Sequence, residues 1–501
     1  MTARRVAFGA GLVLLYVLAI GSLALRAQLW NDELYTWYIA QLPTWADVWN
    51  TLETGVEQLP PFYYAVVRSS LFLFGDNQVA LRIPSLLGFL FGCASLFVVV
   101  ARRTTAWYGF VAALVPLATG AAPYAWEARP YALVFGFAAA AILCLQLRAD
   151  DVRPTYAAIG LAVSLAAATA THYYGALVVV PIAFGEAVRW RARGRLDRAV
   201  VAALFAPLVP LAISIPLLEG ARKYAGQFWT EFDLGSAFDF VLVLLRADVF
   251  SESRIPTWLG LGIGAVVLGL TLAILLRRPR SAQVEVAVAL GFVLLPVVGV
   301  VFGEVVTGAY TERYVLSAVI GPALLIPLAL HRVARGSTVA AVGAGAVLTL
   351  WFGVLFQYWH RDVGVDLDRR ERLEAFVEQR ALPLGLPVAV AHPHDYLELA
   401  HDAPAPVAAR LLRLSDPKRA ERYTGSRSTE DGLVVLARFA PLHLVPYDGQ
   451  RTPFLLLRTV RGEAVDWIDR ALSDDGARTQ IVARDEADGF TLVRVEPAGR
   501  S

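Results

Sequence analysis

The sequence predicts a polytopic α-helical membrane protein with a small soluble α/β domain at its C-terminus, and three observations carry that prediction. Of 501 residues, 57% are hydrophobic and 18% charged, against roughly 25% charged in soluble chains; the mean hydropathy is +0.53. The apolar excess is unevenly spread: long apolar runs alternate with short charged loops up to Trp359, and ordinary soluble sequence begins at His360. Residues 1–359 are therefore expected to be the membrane domain and 360–501 a separate domain. The net charge of +2 says little as a total, because arginines concentrate in alternate loops.

Crossing the hydrocarbon core takes about 20 apolar residues, and the runs at 6–25, 79–101, 105–121, 130–147, 155–171, 174–190, 199–217, 257–276, 283–303, 314–331 and 337–357 meet or approach that length, giving about eleven spans. The first run follows Arg4 and Arg5 as a signal peptide would, but it lacks a small-residue cleavage site and precedes many further spans, so it reads as a retained anchor. Arg102 and Arg103, then the arginines of 148–153, 189–198, 277–280 and 331–335, fall in every second loop. The positive-inside rule places those loops and the N-terminus in the cytoplasm and the tail outside. Segment 60–75 is apolar but short and carries Arg68 mid-run, which costs ~2.5–3.5 kcal/mol at the centre of a span. It is expected to lie in the outer interface, with Tyr63, Tyr64 and Arg68 at headgroup depth. Cys93 and Cys144 sit in apolar runs and read as small hydrophobes.

The outer loops hold the ionisable groups with chemical potential. Asp32 and Glu33 follow the first span among Trp30, Tyr35, Trp37 and Tyr38. Desolvation and like charge there raise a carboxylate's proton affinity, as a general base requires. Equally, the pair can simply cap a helix over 34–41, with Asp as N-cap. A second aromatic turn, 124–131, places Glu127 and Arg129 ahead of Pro130 at a span start; alone it reads as an interfacial ion pair, while two such turns on one face favour a shared site. Arg82, Arg222 with Lys223, and Arg313 are outer cations, each by itself compatible with a structural pair and together able to grip a lipid phosphate. His172, in the turn 171–175, has both a structural and a ligand-contacting reading.

Outside the cytoplasm there is no nucleotide supply, so an activated donor there would be lipid-borne. A polyprenyl phosphate sugar has a phosphate leaving group, which cations can stabilise without a general acid. What remains is a base for the acceptor hydroxyl.

Four motifs match a known family in order: Asp32-Glu33; Pro60-Pro61-Phe62-Tyr63-Tyr64 ending in Phe74-Gly75; Ala80-Leu81-Arg82-Ile83-Pro84-Ser85; and Glu127-Ala128-Arg129-Pro130-Tyr131-Ala132-Leu133. On these the chain resembles the GT-C glycosyltransferases, in particular the bacterial protein O-mannosyltransferase-like branch and the lipid A aminoarabinose transferase. The match covers residues 1–200 well and the later spans in outline. It implies a GT-C-like fold and an inverting transferase of the bacterial inner membrane, taking a sugar from polyprenyl phosphate to a cell-envelope glycan, lipid or protein. It also implies Asp32 as catalytic base, Glu127 as second carboxylate with Glu33 in support, and Arg82, Arg129 and Arg313 as donor contacts, to which Tyr64, His172, Arg222 and Lys223 are added as substrate-binding candidates. One departure is Gln58-Leu59-Pro60, where the aminoarabinose transferase has Glu-Lys-Pro; no lysine stands there to grip phosphate. No His/Cys cluster argues for a metal, a divalent cation stays open, and no nucleic-acid partner is expected. A transporter or lipid-linked-sugar flippase is the rival, although the charges crowd the outer ends rather than the midplane and no repeat is visible; a non-catalytic envelope assembly protein is a third reading.

The tail alternates helical and strand-like stretches: a helix over 370–380, then short elements at 387–391, 432–438, 454–458, 465–472 and 490–495. His392, His394 and His401 have the spacing of a loop after a strand, favouring a structural or surface reading over a metal site.

Overall fold

A computed structural model describes residues 3–55, 57–224, 232–245, 282–459 and 466–497, with isolated helical positions at 266, 269 and 273. The chain divides into two compact units: residues 1–26, 59–216 and 230–360, and residues 27–58, 217–229 and 361–501. The second unit takes the loop 27–58, which carries Asp32, and the short segment 217–229 together with residues 361–501.

The first unit is helical. Among the described residues, five unbroken helices are long and apolar enough to cross a membrane, and up to eight when each bent pair counts as one span. The shortfall from about eleven has local causes. The expected span 105–121 is the short helix Ala106–Leu117. The run 199–217, rich in proline, breaks into Arg198–Leu204, Leu208–Ile213 and Ile215–Ala221, because proline lacks the amide that continues a helix. The run 283–303 bends by 43° between Gln283–Val293 and Leu295–Thr307. The expected span 257–276 lies outside the described residues except for positions 266, 269 and 273.

Small residues let these helices approach closely, as membrane packing requires. Helices Gln78–Arg103 and Tyr131–Ala149 meet backbone to backbone at Gly88 and Gly136, where a Cβ at Gly136 would run into the Gly88 carbonyl. At one end of this pair a charged network closes the bundle. Arg102 and Arg103 bind Asp150 at 2.8 Å, Arg103 Nε binds Glu285 at 2.6 Å, and Gln146 donates to the same Glu285 oxygen at 2.8 Å. Arg148 and Arg189 converge on Asp197, at 2.7 and 3.3 Å. The acids Asp150, Asp197 and Glu285 thus pair the arginines at this end.

The second unit is built on a six-stranded sheet of order β3-β2-β1-β4-β6-β5: β1 Val388–Val390, β2 Leu411–Ser415, β3 Leu444–Pro446, β4 Phe454–Thr459, β5 Arg478–Asp485 and β6 Phe490–Glu496. Strands β3, β2, β1 and β4 run parallel, while β4, β6 and β5 pair antiparallel. Ala389, Leu412, Leu414, Phe454, Leu456, Trp467, Ile468, Leu472 and Val493 form its core. The α/β expectation holds, with particulars changed. The helix expected at 370–380 is the end of one helix, Thr338–Arg380; the segment expected at 432–438 begins inside a helix, Ser428–Leu436, and ends in the turn after it; and β2, β3 and β5 had no sequence forecast.

Candidate functional site

In the first unit, the Glu127–Arg129 turn is fixed from both sides. The Tyr63 hydroxyl, on helix Pro61–Phe74, donates to the Ala128 carbonyl at 2.6 Å, and Ser85 Oγ donates to the Arg129 carbonyl at 3.0 Å. The Arg129 amide in turn donates to the Glu127 carbonyl at 2.8 Å, and Tyr131 then opens the next helix behind Pro130. Tyr63 and Tyr64 are fully buried within the protein. The helix 61–74 turns them inward and leaves Phe72 and Leu73 exposed instead, because a buried phenol needs a partner and Tyr63 finds one at Ala128. Arg82 is also buried and donates to the Ala24 carbonyl at 2.9 Å.

Beside this turn, His172 ends the helix Pro154–Thr171. Its Nδ1 accepts the Tyr174 amide at 3.2 Å, so in the neutral ring the proton sits on Nε2. Burial, aided by the positive charges of Arg129 and Arg313, pushes the imidazole down to about 3; it is neutral at any physiological pH. The ring packs against Tyr131 (centroids 5.5 Å), Tyr174 (5.9 Å) and Tyr314 (4.8 Å), and the Arg313 guanidinium lies 5.7 Å from the Tyr131 ring centre, within cation–π range. Burial raises the Tyr124 phenol well above its ordinary value; Glu127 and Glu312 add to the rise and Arg313 opposes it. A small cleft of about 10 Å³ lies between Gly120, Tyr124, Phe240, Glu312, Arg313 and Leu316, roughly the room one water needs. The structure thus brings Glu127, Arg129, His172 and Arg313 into one aromatic-walled cluster and adds Glu312, Tyr131, Tyr174 and Tyr314. These last were visible in the sequence only as motif neighbours, since their meeting depends on how four helices assemble. Chemically, two fixed guanidinium groups and a neutral imidazole form a hydrogen-bond-donor surface suited to an anionic oxygen, and the two glutamates keep it from excess positive charge.

Four predicted site residues fall in the second unit. Asp32 and Glu33 lie in the first turn of helix Asn31–Ala40, and Trp30, not Asp32, is its N-cap. Glu33 is buried and its Oε2 accepts the Trp30 amide at 3.4 Å, so the capping role expected of Asp32 belongs to Glu33, three residues past the cap, where a capping-box acid sits. Asp32 is partly exposed. Burial raises the neighbouring Tyr35 phenol, and the charges of Glu57, Glu430 and Asp32 add to the rise. Arg222 and Lys223 are exposed on a 3₁₀ turn, Arg222–Tyr224. They share no unit with Arg82, Arg129 and Arg313. His392 and His394 meet edge-on at 5.0 Å, while His401 packs against Trp37 at 5.4 Å. The three histidines thus make two separate ring contacts.

A set of membrane-length helices carrying a largely enclosed Arg–Glu–His–Tyr cluster, with a small mixed α/β domain after them in sequence, defines a polytopic membrane protein. Its fold is that of ArnT from Cupriavidus metallidurans. The apo crystal structure of that protein aligns at a TM-score of 0.58 and 13% identity over 97% of this chain and 98% of ArnT. The structure bound to undecaprenyl phosphate aligns at 0.58 and 15% identity over 98% and 97%. The GT-C-like fold expected from the sequence motifs is therefore present. No family model matches the sequence, and no curated protein matches it.

Proposed function

We propose that the chain is an inverting GT-C glycosyltransferase that moves a sugar from a polyprenyl phosphate to a cell-envelope glycan, lipid or protein. In this reading it works at the non-cytoplasmic face of the bacterial inner membrane, with a cytoplasmic N-terminus and an extracytoplasmic tail. The observation that carries the reading is the end-to-end likeness to ArnT, one of whose structures holds undecaprenyl phosphate. The arginine cluster supports it chemically.

The Asp32 carboxylate takes the proton of the acceptor hydroxyl as its oxygen attacks the anomeric carbon. The bond to the phosphate oxygen breaks, and its electron pair leaves with the phosphate. Arg82, Arg129 and Arg313 are assigned to the donor phosphate and sugar, Glu127 and neutral His172 to sugar hydroxyls, Tyr64 to the wall around them, and Arg222 and Lys223 to lipid phosphate approaching the outer surface. Glu33, already engaged with the Trp30 amide, supports Asp32.

Glycan and lipid analysis of a deletion strain tests this reading. One sugar should be missing from one envelope component, restored by the wild-type chain and not by Asp32→Asn. An unchanged envelope in the deletion strain, or full restoration by Asp32→Asn, would count against the reaction or against the base, respectively.

A further inference from the structure

The helix bearing Asp32 folds within the second unit, where two side chains of the tail, Arg370 and His401, and the close approach of Gly432 contact it or the residues leading into it. Arg370 Nη2 donates to the Leu29 carbonyl at 2.6 Å, one residue before the Trp30 cap. The same guanidinium is gripped by Glu398 at 3.2 Å and Asp402 at 2.8 Å, both on the helix Pro393–Asp402. From that helix, His401 meets Trp37 and Tyr38 edge-on, with ring centres 5.4 and 6.2 Å apart. On the helix Ser428–Leu436, Gly432 leaves room for the Tyr35 ring, which a Cβ at 432 would meet at 3.2 Å or closer.

Backbone at residue 29 and side chains at 35, 37 and 38 fix both the slide and the rotation of helix Asn31–Ala40 about its axis. Asp32 lies between those anchors. A largely buried Arg with two acids is weak support for stability, since apolar replacements of such groups are often neutral or better. It is strong support for geometry, since a guanidinium holds its partners in fixed directions. Catalytic groups need placement within about 0.5 Å, and a 1 Å error costs on the order of 10²-fold in rate.

We infer that Arg370 is a positioning residue: by clamping the Leu29 carbonyl it sets the direction of the Asp32 carboxylate, so that the soluble tail aligns the base. The inference rests on Asp32 being that base. The purified full chain and its Arg370→Ala, Arg370→Lys and Arg372→Ala variants are compared by hydrogen exchange of peptide 29–41 and by transfer, with deletion-strain membranes supplying donor and acceptor. Arg372 is the control: it lies on the same helix and pairs with Asp488 at 2.7 Å.

In Arg370→Ala, exchange at 29–41 should rise while 131–149 stays protected. Its rate at saturating membranes should fall by about tenfold or more, with half-saturation within about twofold, as expected of misplacement rather than lost binding. Arg370→Lys should lie between, and Arg372→Ala should match wild type. Wild-type exchange in Arg370→Ala, an equal effect of Arg372→Ala, or a change in half-saturation alone would overturn the inference. If Arg370→Ala does not fold, a wild-type Arg370→Lys would overturn it as well. An inactive Asp32→Asn beside a fully active Arg370→Ala leaves the base in place and ends the positioning role. A fully active Asp32→Asn removes the base and with it the role inferred for Arg370.

Discussion

Replacing Glu430 should open the C-terminal domain, and the structure says by how much. Glu430 Oε1 accepts from Arg413 Nε and from Trp467 Nε1, both at 3.1 Å, and pairs with Arg413 Nη2. Arg413 has no solvent exposure and also donates to the carbonyls of Val390 and Ala391. In Glu430→Ala the guanidinium keeps those neutral acceptors and loses its paired carboxylate, leaving Asp466, the weaker of the two acidic influences on it, to offset its charge. Breaking such a pair from one side costs about 3–5 kcal/mol, a large share of the 5–15 kcal/mol that holds a typical domain together. Opening of the domain should therefore become more frequent by roughly two to three and a half orders of magnitude. Native-state hydrogen exchange of β2 and β4 in the full chain reads this directly. Glu430→Gln keeps an acceptor for Trp467 and should fall between. The double variant Arg413→Met/Glu430→Leu removes both charges and should recover most of the loss. If the double variant opens as readily as Glu430→Ala, the cost is lost packing and the unpaired-charge reasoning fails.

Two further outcomes follow from the same kind of reasoning. Burial, against the opposing pull of Arg413, raises the Asp466 carboxyl to about 6. The folded state thus binds this proton more tightly than the unfolded one, so its stabilising contribution is complete below the ordinary aspartate value of about 4 and is lost as pH rises through about 6. Asp466→Asn, which retains an oxygen for the Ile468 amide now bonded at 2.9 Å, should flatten the pH dependence of tail exchange across that window; an unchanged slope would exclude Asp466 as its source. Gly136→Ala should lower the melting temperature of the purified protein by the equivalent of about 1–3 kcal/mol, because its Cβ meets the Gly88 backbone, whereas Gly343→Ala, with open space around it, should not. Equal melting of the two variants would refute the close helix contact.

Much of the architecture was legible in the chain. Apolar runs of membrane length, alternate arginine loops and the change of texture at His360 declare a polytopic protein with a soluble tail, because lipid demands internal hydrogen bonding over about 20 residues. The motifs around Asp32, Arg82 and Glu127 also pointed to the GT-C-like fold. Span boundaries were less legible: prolines near 207–216 and at 296 break helices that hydropathy reads as continuous, since a window average ignores a missing amide.

What tertiary structure alone decided is which polar groups share surroundings. Arg129, His172 and Arg313 come from three distant segments and meet through rings of Tyr131, Tyr174 and Tyr314. Arg370 gave no sequence signal; in one dimension it is one charge among many in a helix end. The sequence offered Asp32 as the helix cap, whereas the fold buries Glu33 against the Trp30 amide and leaves Asp32 partly exposed. Local pattern is written into the spacing of residues, whereas desolvation and hydrogen-bond partnership depend on segments hundreds of residues apart and exist only once the chain has folded.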